Sequence, residues 1–461
     1  MAVKEDSPII EKKKKNARRR MISEGIFASI KSSLGDSFVA PFAIAINSSS
    51  SLVALLSSIS GLLGPLSQTY SSRLIGKYPR KKIISKTILI ESLMWVPFIF
   101  IAILFYKNLF VNALPFILLA IFTLYTIIRD MSSPVWFSWI GDLVKEDKRG
   151  KWVSKKNLII DFVAVVSAIS ASFLLDLFTH KGQPIFGFIT LFSIALMFRL
   201  MSWKVLKKTY EPKIKLKKTD YFSFWDFLKE APKTNFGRFT IFRATLFFSA
   251  YVTASLLAVY LLRILGLSYK TYIIIIFAGT IFSLGIIELW GKFADKYGNY
   301  KVICITSLLI PIIPILWILS PNPIYLIIVP ALVGGIYSAG FNLATGNFIY
   351  DNVSPQKRGT AVSYFHILNG IGIFLGAGFG ALLIKFITIT SIEPIKLIFI
   401  IGAVLRAIPV IIFLPKLKEV RKTKKFKGTR DLENLFLKET KPTLLEEAHE
   451  IISIPKYFSI K

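Results

Sequence analysis

Three ionisable residues stand where long apolar runs should exclude them: Asp36, and the adjacent pair Arg129 and Asp130. A charge deep in hydrocarbon needs a partner, a water-filled cavity or a proton relay to persist there. By helical rise Asp36 lies about 20 Å into its run, near a bilayer midplane, with Arg129 and Asp130 at similar depth in theirs. A carboxylate and a guanidinium so placed can grip a polar solute or pass a proton. The inert alternative is a salt bridge locking the two runs together. Gln68, Asn342, His366 and Asn369 add polar groups in other runs, suited to a solute or to a neighbouring helix. Lys31, Glu91, Arg199 and Arg406 lie toward the basic ends of their runs and are expected to snorkel or pair, and Arg243 and Arg263 to anchor at an interface.

Other chemistry is poorly provided for. His180, His366 and His449 never fall at metal-ligand spacing, so no metal is expected. The single cysteine, Cys304, sits in an apolar run, which leaves no intrachain disulfide and no cysteine-based metal site. No cofactor is expected, and no nucleotide-binding motif is present to power the chain.

The elements that must position these residues follow from composition. The chain has 461 residues, 53% hydrophobic and 18% charged, with mean hydropathy +0.58, values of a polytopic all-α membrane protein. Its net charge of +31 resides in linkers and tails. That distribution is a topology signal rather than a nucleic-acid footprint, so the expected partner is the lipid bilayer and not nucleic acid. Residues 1–20 carry EKKKKNARRR, read as a basic cytosolic tail; the charges Lys31 and Asp36 in the run that follows argue against a cleavable signal peptide.

Spans are expected at 22–47, 51–72, 83–106, 113–139, 156–178 and 184–204, then at 239–264, 271–290, 301–320, 323–348, 361–386 and 394–415. Each reaches the roughly 20 residues that a bilayer core requires. Pro65, Pro97, Pro134 and Pro330 are expected to kink them. The domain reading is a six-helix bundle over 21–204, a cytoplasmic linker over 205–238, a second bundle over 239–415 and a cytosolic tail over 416–461. Lysines and arginines concentrate in the even-numbered linkers and the termini, which puts both termini in the cytoplasm. Within the central linker YFSFWDFLKEA reads as an amphipathic interfacial helix.

Two motifs occur twice. GKFADKYGNYK at 291–301 answers SRLIGKYPRKK at 72–82, 219 residues apart, each a polar linker running into an Ile/Val-rich segment. DLVKEDKRG at 142–150 answers DNVSPQKRG at 351–359, 209 residues apart. Duplicated linkers at equivalent places are the mark of a six-plus-six transporter. The chain resembles the major facilitator superfamily, whose linker after the second helix reads Gly-x-x-x-Asp-Arg/Lys-x-Gly-Arg-Lys. The second copy matches through Gly291, Asp295, Lys296 and Gly298. The first keeps Lys77, Arg80 and Lys81 but has Ser72, Gly76 and Pro79 at the places of the first Gly, the acid and the second Gly. The family's Arg-Gly after helices 4 and 10 stands as Arg149-Gly150, behind Asp142, and as Arg358-Gly359, behind Asp351.

The resemblance, covering about 20–415, implies two six-helix bundles rocking by alternating access around a midplane site for a small solute, in a monomer of the plasma membrane. It implies that spans 1, 4, 7 and 10 face the cavity, which favours Asp36, Arg129 and Asp130 as solute or proton contacts, and that Glu91, Arg199 and Arg406 lie on outer spans. It assigns gating to the linkers, with Asp295 latching near Arg149. Arg129 stands near the place of an arginine of proton-driven members, without the rest of their motif, so a proton gradient is the first expectation for the energy source. The alternatives are multidrug or metabolite efflux, a transporter-like sensor and an enzyme on lipid-linked substrates. Gly372, Gly376 and Gly380 repeat at every fourth residue of span 11 and predict close helix packing.

Overall fold

In a bilayer core there is no water to bond the backbone, so each apolar run must close its own hydrogen bonds as a helix. The computed structural model describes residues 8–75, 77–144, 146–212, 223–354, 357–387, 393–421, 423, 424, 426 and 428. Gly76, Lys145, Tyr221, Phe222 and the tail from 429 lie outside the described residues, as do the side chains at 72, 73, 146–151, 153, 154, 358 and 359. Among the described residues there is no strand, only an isolated bridge between Ile75 and Tyr78.

The helices in chain order are α1 (Pro8–Leu34), α2 (Val39–Ala45), α3 (Ser50–Leu74), α4 (Arg80–Leu93), α5 (Trp95–Tyr106), α6 (Leu114–Asp130), α7 (Ser133–Leu143), α8 (Glu146–His180) and α9 (Pro184–Lys207). There follow α10 (Phe224–Glu230), α11 (Asn235–Ala254), α12 (Tyr269–Leu284), α13 (Ile287–Tyr297), α14 (Asn299–Leu309), α15 (Ile312–Leu319), α16 (Pro323–Asn352), α17 (Arg358–Phe386) and α18 (Pro394–Phe413). Among the described residues ten segments are long and apolar enough to cross a membrane, and α12 with α13, bent by 43°, make an eleventh. The remaining expected span, 22–47, is α1 with the 3-10 turn Asp36–Phe38 and α2; its charges set it apart from the others.

The described residues gather into two compact units, one of 8–47 with 66–212 and one of 48–65 with 223–428. In the first, α1 packs on α8 and α9, and α9 on α4 and α5. In the second, α11 packs on α17 and α18, and α16 on α12 and α14. The place of α1 among α8 and α9 is that of α11 among α17 and α18, so the duplication seen in sequence is also a duplication of packing.

Several linkers prove to be helix ends. The stretch expected as a polar linker from Gly291 lies in α13 as far as Tyr297, and the turn is made by Gly298 alone at φ +96° before α14 begins. A Cβ there would both strain the backbone and strike the Glu419 carboxylate. Pro97 and Pro134 stand in the first turns of α5 and α7, after breaks at Met94 and at 131–132, whereas Pro65 and Pro330 lie inside continuous helices. The basic residues from Pro8 onward form the first turns of α1, with Lys12, Lys13, Lys15 and Arg19 exposed, while Arg18 donates to the Leu143 carbonyl at 2.9 Å and Arg20 to that of Lys208. These carbonyls end α7 and α9, where cations are favoured.

Helix α10 opens on a capping box in which Ser223 and Asp226 bond reciprocally, and the Ser223 hydroxyl and then its backbone N–H hold the Asp226 carboxyl below the usual range. Phe224 and Phe227 pack on Tyr364, while Trp225 stays exposed.

The glycine stripe of α17 fits α11 turn for turn. Cβ atoms at Gly372, Gly376 and Gly380 would collide with the carbonyl oxygens of Ala244, Phe248 and Val252, so the two backbones touch along three consecutive turns. Replacing Gly376 with valine should force α11 and α17 apart at an overpacking cost of about 1–3 kcal/mol. We expect a lower melting temperature in detergent, while Gly378→Ala, whose Cβ meets only the Ser58 hydroxyl at 3.4 Å, should melt like wild type. Equal melting of the two variants would argue against the contact.

Candidate functional site

The first unit holds a chain of buried charges. The Lys31 ammonium lies 2.9 Å from Glu91, 3.2 Å from Asp36 and 3.0 Å from the Tyr125 hydroxyl. Tyr125 also donates a short hydrogen bond to Asp36, and Ser32 donates to the same carboxylate at 2.7 Å. Beyond Glu91, Arg199 pairs with it at 2.5 Å and with Glu24 at 3.3 Å, and Ser202 donates to Glu24 at 2.7 Å. Four helices supply these groups: α1 gives Glu24 and Lys31, α4 Glu91, α6 Tyr125 and α9 Arg199, with Asp36 in the 3-10 turn behind α1. Trp95, Phe98 and Phe192 pack around Tyr125 and dry one side of the cluster. Trp95 fills the space a Cβ would take at Gly35, so this glycine admits the indole where α1 breaks and Asp36 emerges.

This corrects three expectations. Lys31 does not snorkel and Glu91 and Arg199 are not lipid-facing: all three are 5% exposed or less and bonded to one another. Nor is Asp36 locked to Arg129. Arg129 bonds its own neighbour Asp130 at 2.8 Å and lies over the Tyr125 ring, while Asp36 is held by Lys31, Ser32 and Tyr125. Of the carboxylates bonded to Lys31 or Arg199, Glu24 and Glu91 have side chains at most 4% exposed; that of Asp36 is 19% exposed.

The helix ends carry a second, duplicated arrangement. In the first unit Arg80, fully buried at the start of α4, bonds Asp142 at 2.6 Å, the Ser138 carbonyl at 2.8 Å and the Pro212 carbonyl at 2.9 Å, while Glu211 accepts from the backbone N–H groups of Arg80 and Lys81. In the second unit Asn299, 219 residues after Arg80, donates to Asp351 at 2.7 Å, and Glu419, 208 residues after Glu211, accepts from the Tyr300 backbone at 2.8 Å. Asp351 is further paired with Arg421 at 2.9 Å, and the exposed Asp295 approaches the same guanidinium at 3.9 Å. Lys77 is exposed, Gly291 meets no neighbour, and the Lys296 carbonyl accepts from the Lys424 backbone at 3.1 Å. The backbones at Arg149 and Gly150 open α8 and those at Arg358 and Gly359 open α17; their side-chain surroundings lie outside the described residues.

The second unit buries two arginines that bond no carboxylate among the described residues. Arg243, expected at an interface, is 7% exposed inside the bundle. It donates to Thr345 at 3.1 Å and to Asn342 at 3.1 Å and is sandwiched by the Phe247 and Phe341 rings at 4.5 and 4.6 Å. Arg406, expected on an outer face, is equally buried; it donates to Thr253 at 2.5 Å and to the Ala250 and Ile310 carbonyls, where α11 and α14 end. Arg243, Asn342, Thr345 and His366 line a cavity of about 270 Å³. The sequence-selected Asn342 and His366 thus meet around an arginine that had been placed elsewhere. Asn369 is buried with an unpartnered side-chain oxygen, and Gln68 is half-buried in α3, its carbonyl accepting from Ser71. Neither is joined to the two clusters by a side-chain hydrogen bond described here.

The sequence profile of the Major Facilitator Superfamily matches residues 24–288 and 239–458. The chain belongs to this family. It is an integral, multi-pass, all-α membrane transporter of the superfamily's two-bundle architecture and not an enzyme. No curated protein matches it. Among solved structures it is similar to the nucleoside transporter NupG, at 15% identity and TM-score 0.61 over 87% of this chain and 99% of that one, and to an aspartate-to-alanine variant of it at TM-score 0.66 over 87% and 100%. It is also similar to a bacterial homolog of the human lysosomal transporter Spinster, inward-facing and unoccupied, at 14% identity and TM-score 0.56 over 96% and 99%. At such identities the likeness is one of fold.

Signals for the missed residues were present. Glu24 and Lys31 are seven apart and so share a helix face, and Glu211 and Glu419 stand 208 apart, each shortly after the last span of its half. Removing one partner of a buried pair leaves a bare charge and costs about 3–5 kcal/mol, whereas replacing both partners is far milder. Glu91→Ala should therefore fail to accumulate as folded protein, and the triple change Glu24→Gln, Glu91→Met and Arg199→Met, which leaves the Lys31–Asp36 pair intact, should recover much of it, read as the monodisperse fraction in detergent. Wild-type behaviour of Glu91→Ala would contradict the network.

Proposed function

We propose that this transporter is a proton-coupled secondary transporter working by alternating access, with Asp36 as the carboxylate that takes the proton. The observation carrying the reading is the charge count of the buried cluster. Lys31 and Arg199 face Glu24, Asp36 and Glu91, two cations against three carboxylates in the ion-pair network of the described residues, while Arg129 and Asp130 pair with each other. One proton neutralises the set, and a neutral set is the one a low-dielectric interior tolerates. Asp36 is the best placed to receive it, being partly exposed and sitting at the break of its helix. Protonation would release Lys31 to Glu91 and Tyr125, a change that α1, α4 and α6 would all feel.

Gating in this reading belongs to the helix ends. Arg80, Asp142 and Glu211, and in the second unit Asn299, Asp351 and Glu419, tie the ends of several spans together so that each unit moves as one body. Asp295, exposed on α13, is the residue left to engage and release, as expected for a latch. Both termini are assigned to the cytoplasm from the cation bias of the even-numbered linkers, and the plasma membrane is the setting that the family resemblance implies.

The test is uptake into proteoliposomes of a mixed pool of sugars, amino acids, nucleosides and organic acids, with and without an imposed pH gradient. Wild type should concentrate a solute only when the gradient is present. Asp36→Asn should lose that concentration yet keep exchange of the same solute across the membrane. Gradient-driven concentration by Asp36→Asn at the wild-type level would overturn the assignment.

A further inference from the structure

The second unit places a cation for which the described residues supply no counter-charge. Arg243 lies eight residues into α11, about 12 Å along the helix, and is 7% exposed. Its partners are the neutral Thr345 and Asn342 and two phenylalanine faces. Its Nε atom is buried with no hydrogen-bond partner. A buried guanidinium with donors to spare is costly unless something anionic completes it. Arg406 shares the buried, unpartnered Nε, but it lines neither of the cavities found among the described residues, so nothing can reach it there.

Arg243 does face a cavity. The space of about 270 Å³ is bounded by Arg243, Asn342, Thr345 and His366, with Phe365 and Tyr350 as apolar and aromatic wall. Asn342 and His366 are exposed in this structure, so the polar rim is open to an incoming solute. The volume falls below the roughly 300–1,000 Å³ of drug-sized pockets, which points to a small solute and away from bulky drugs.

We infer that this cavity binds the anionic group of a small organic solute, a carboxylate or a phosphate monoester, with the Arg243 guanidinium as its charge partner and Asn342, Thr345 and His366 as hydrogen-bonding wall. The guanidinium is already oriented by Asn342 and Thr345, so little side-chain entropy is lost on binding. The duplication sharpens the point: Arg243 stands 219 residues after Glu24, the same offset as the linker landmarks, so the place that holds a carboxylate in the first unit holds a cation in the second. One scaffold position thus carries opposite charges in the unit proposed to take a proton and in the unit proposed to take an anion. The inference rests on the transport reading above and names its substrate class.

The test is thermal melting of the full-length protein in detergent at fixed pH, with lactate, citrate and glycerol 3-phosphate against the neutral glycerol, glucose and uridine. At least one anion should raise the melting temperature by roughly a few degrees near saturation while the neutral solutes do not. Carboxylate and phosphate sources separate by which anion acts. Asn342→Asp sets a carboxylate beside the Arg243 terminal nitrogen, now 3.1 Å from the Asn342 oxygen. It should melt no lower than wild type and lose the response to anions at least tenfold in concentration. Absence of any anion response, a response to neutral solutes only, or an undiminished response in Asn342→Asp would each overturn the inference. Because no proton gradient is applied, failure of proton coupling leaves this outcome unaffected.

Discussion

What governs this molecule is the cost of holding charge where water is scarce. The first unit meets it by mutual pairing: Glu24, Arg199, Glu91, Lys31 and Asp36 form a continuous line of ion pairs, finished by Tyr125, Ser32 and Ser202. Such a line fixes α1, α4, α6 and α9 against each other, and it is sensitive to a single proton because the attraction between close charges is strong at low dielectric. The second unit meets the same cost with neutral partners. Arg406 is spread over backbone carbonyls freed by helix breaks, and Arg243 over an amide, a hydroxyl and two aromatic faces.

Both units are variations on one duplicated plan. The first helix of each half breaks at an equivalent place, after Leu34 and after Ala254, and each half ends in a glutamate that holds the N-terminal N–H groups of its third span. Breaks free backbone groups that must then be satisfied inside the bundle. In the first half the break delivers Asp36 into the charge line; in the second, Arg406 bonds the Ala250 carbonyl in the last turn of α11 and the Ile310 carbonyl where α14 breaks. The frame is shared, and the chemistry diverges at the residues the frame presents.

Much of that frame was legible. Apolar length gave the spans, two repeated motifs gave the two halves, depth along an ideal helix singled out Asp36, and Asn342 and His366 stood out as polar groups within apolar runs. Rotation about the helix axis was not legible, and it decides whether a charge meets lipid or a neighbour. Lys31, Glu91 and Arg243 were therefore placed at edges when each turns inward. The break at Gly35 was hidden too, since its cause is the Trp95 indole arriving from another helix. Linkers were overestimated because polar composition at 291–297 does not prevent α13 from continuing to Tyr297 with Phe293, Ala294 and Tyr297 buried in the core.

The claim on which the rest depends is that the first-unit cluster binds one proton at Asp36. Infrared difference spectroscopy of the purified protein through a pH titration reads it without a substrate. The account predicts one buried carboxyl C=O band that appears on acidification in wild type and is missing in Asp36→Asn. A wild-type spectrum with no titrating carboxyl band, or a band that survives Asp36→Asn unchanged, would contradict it.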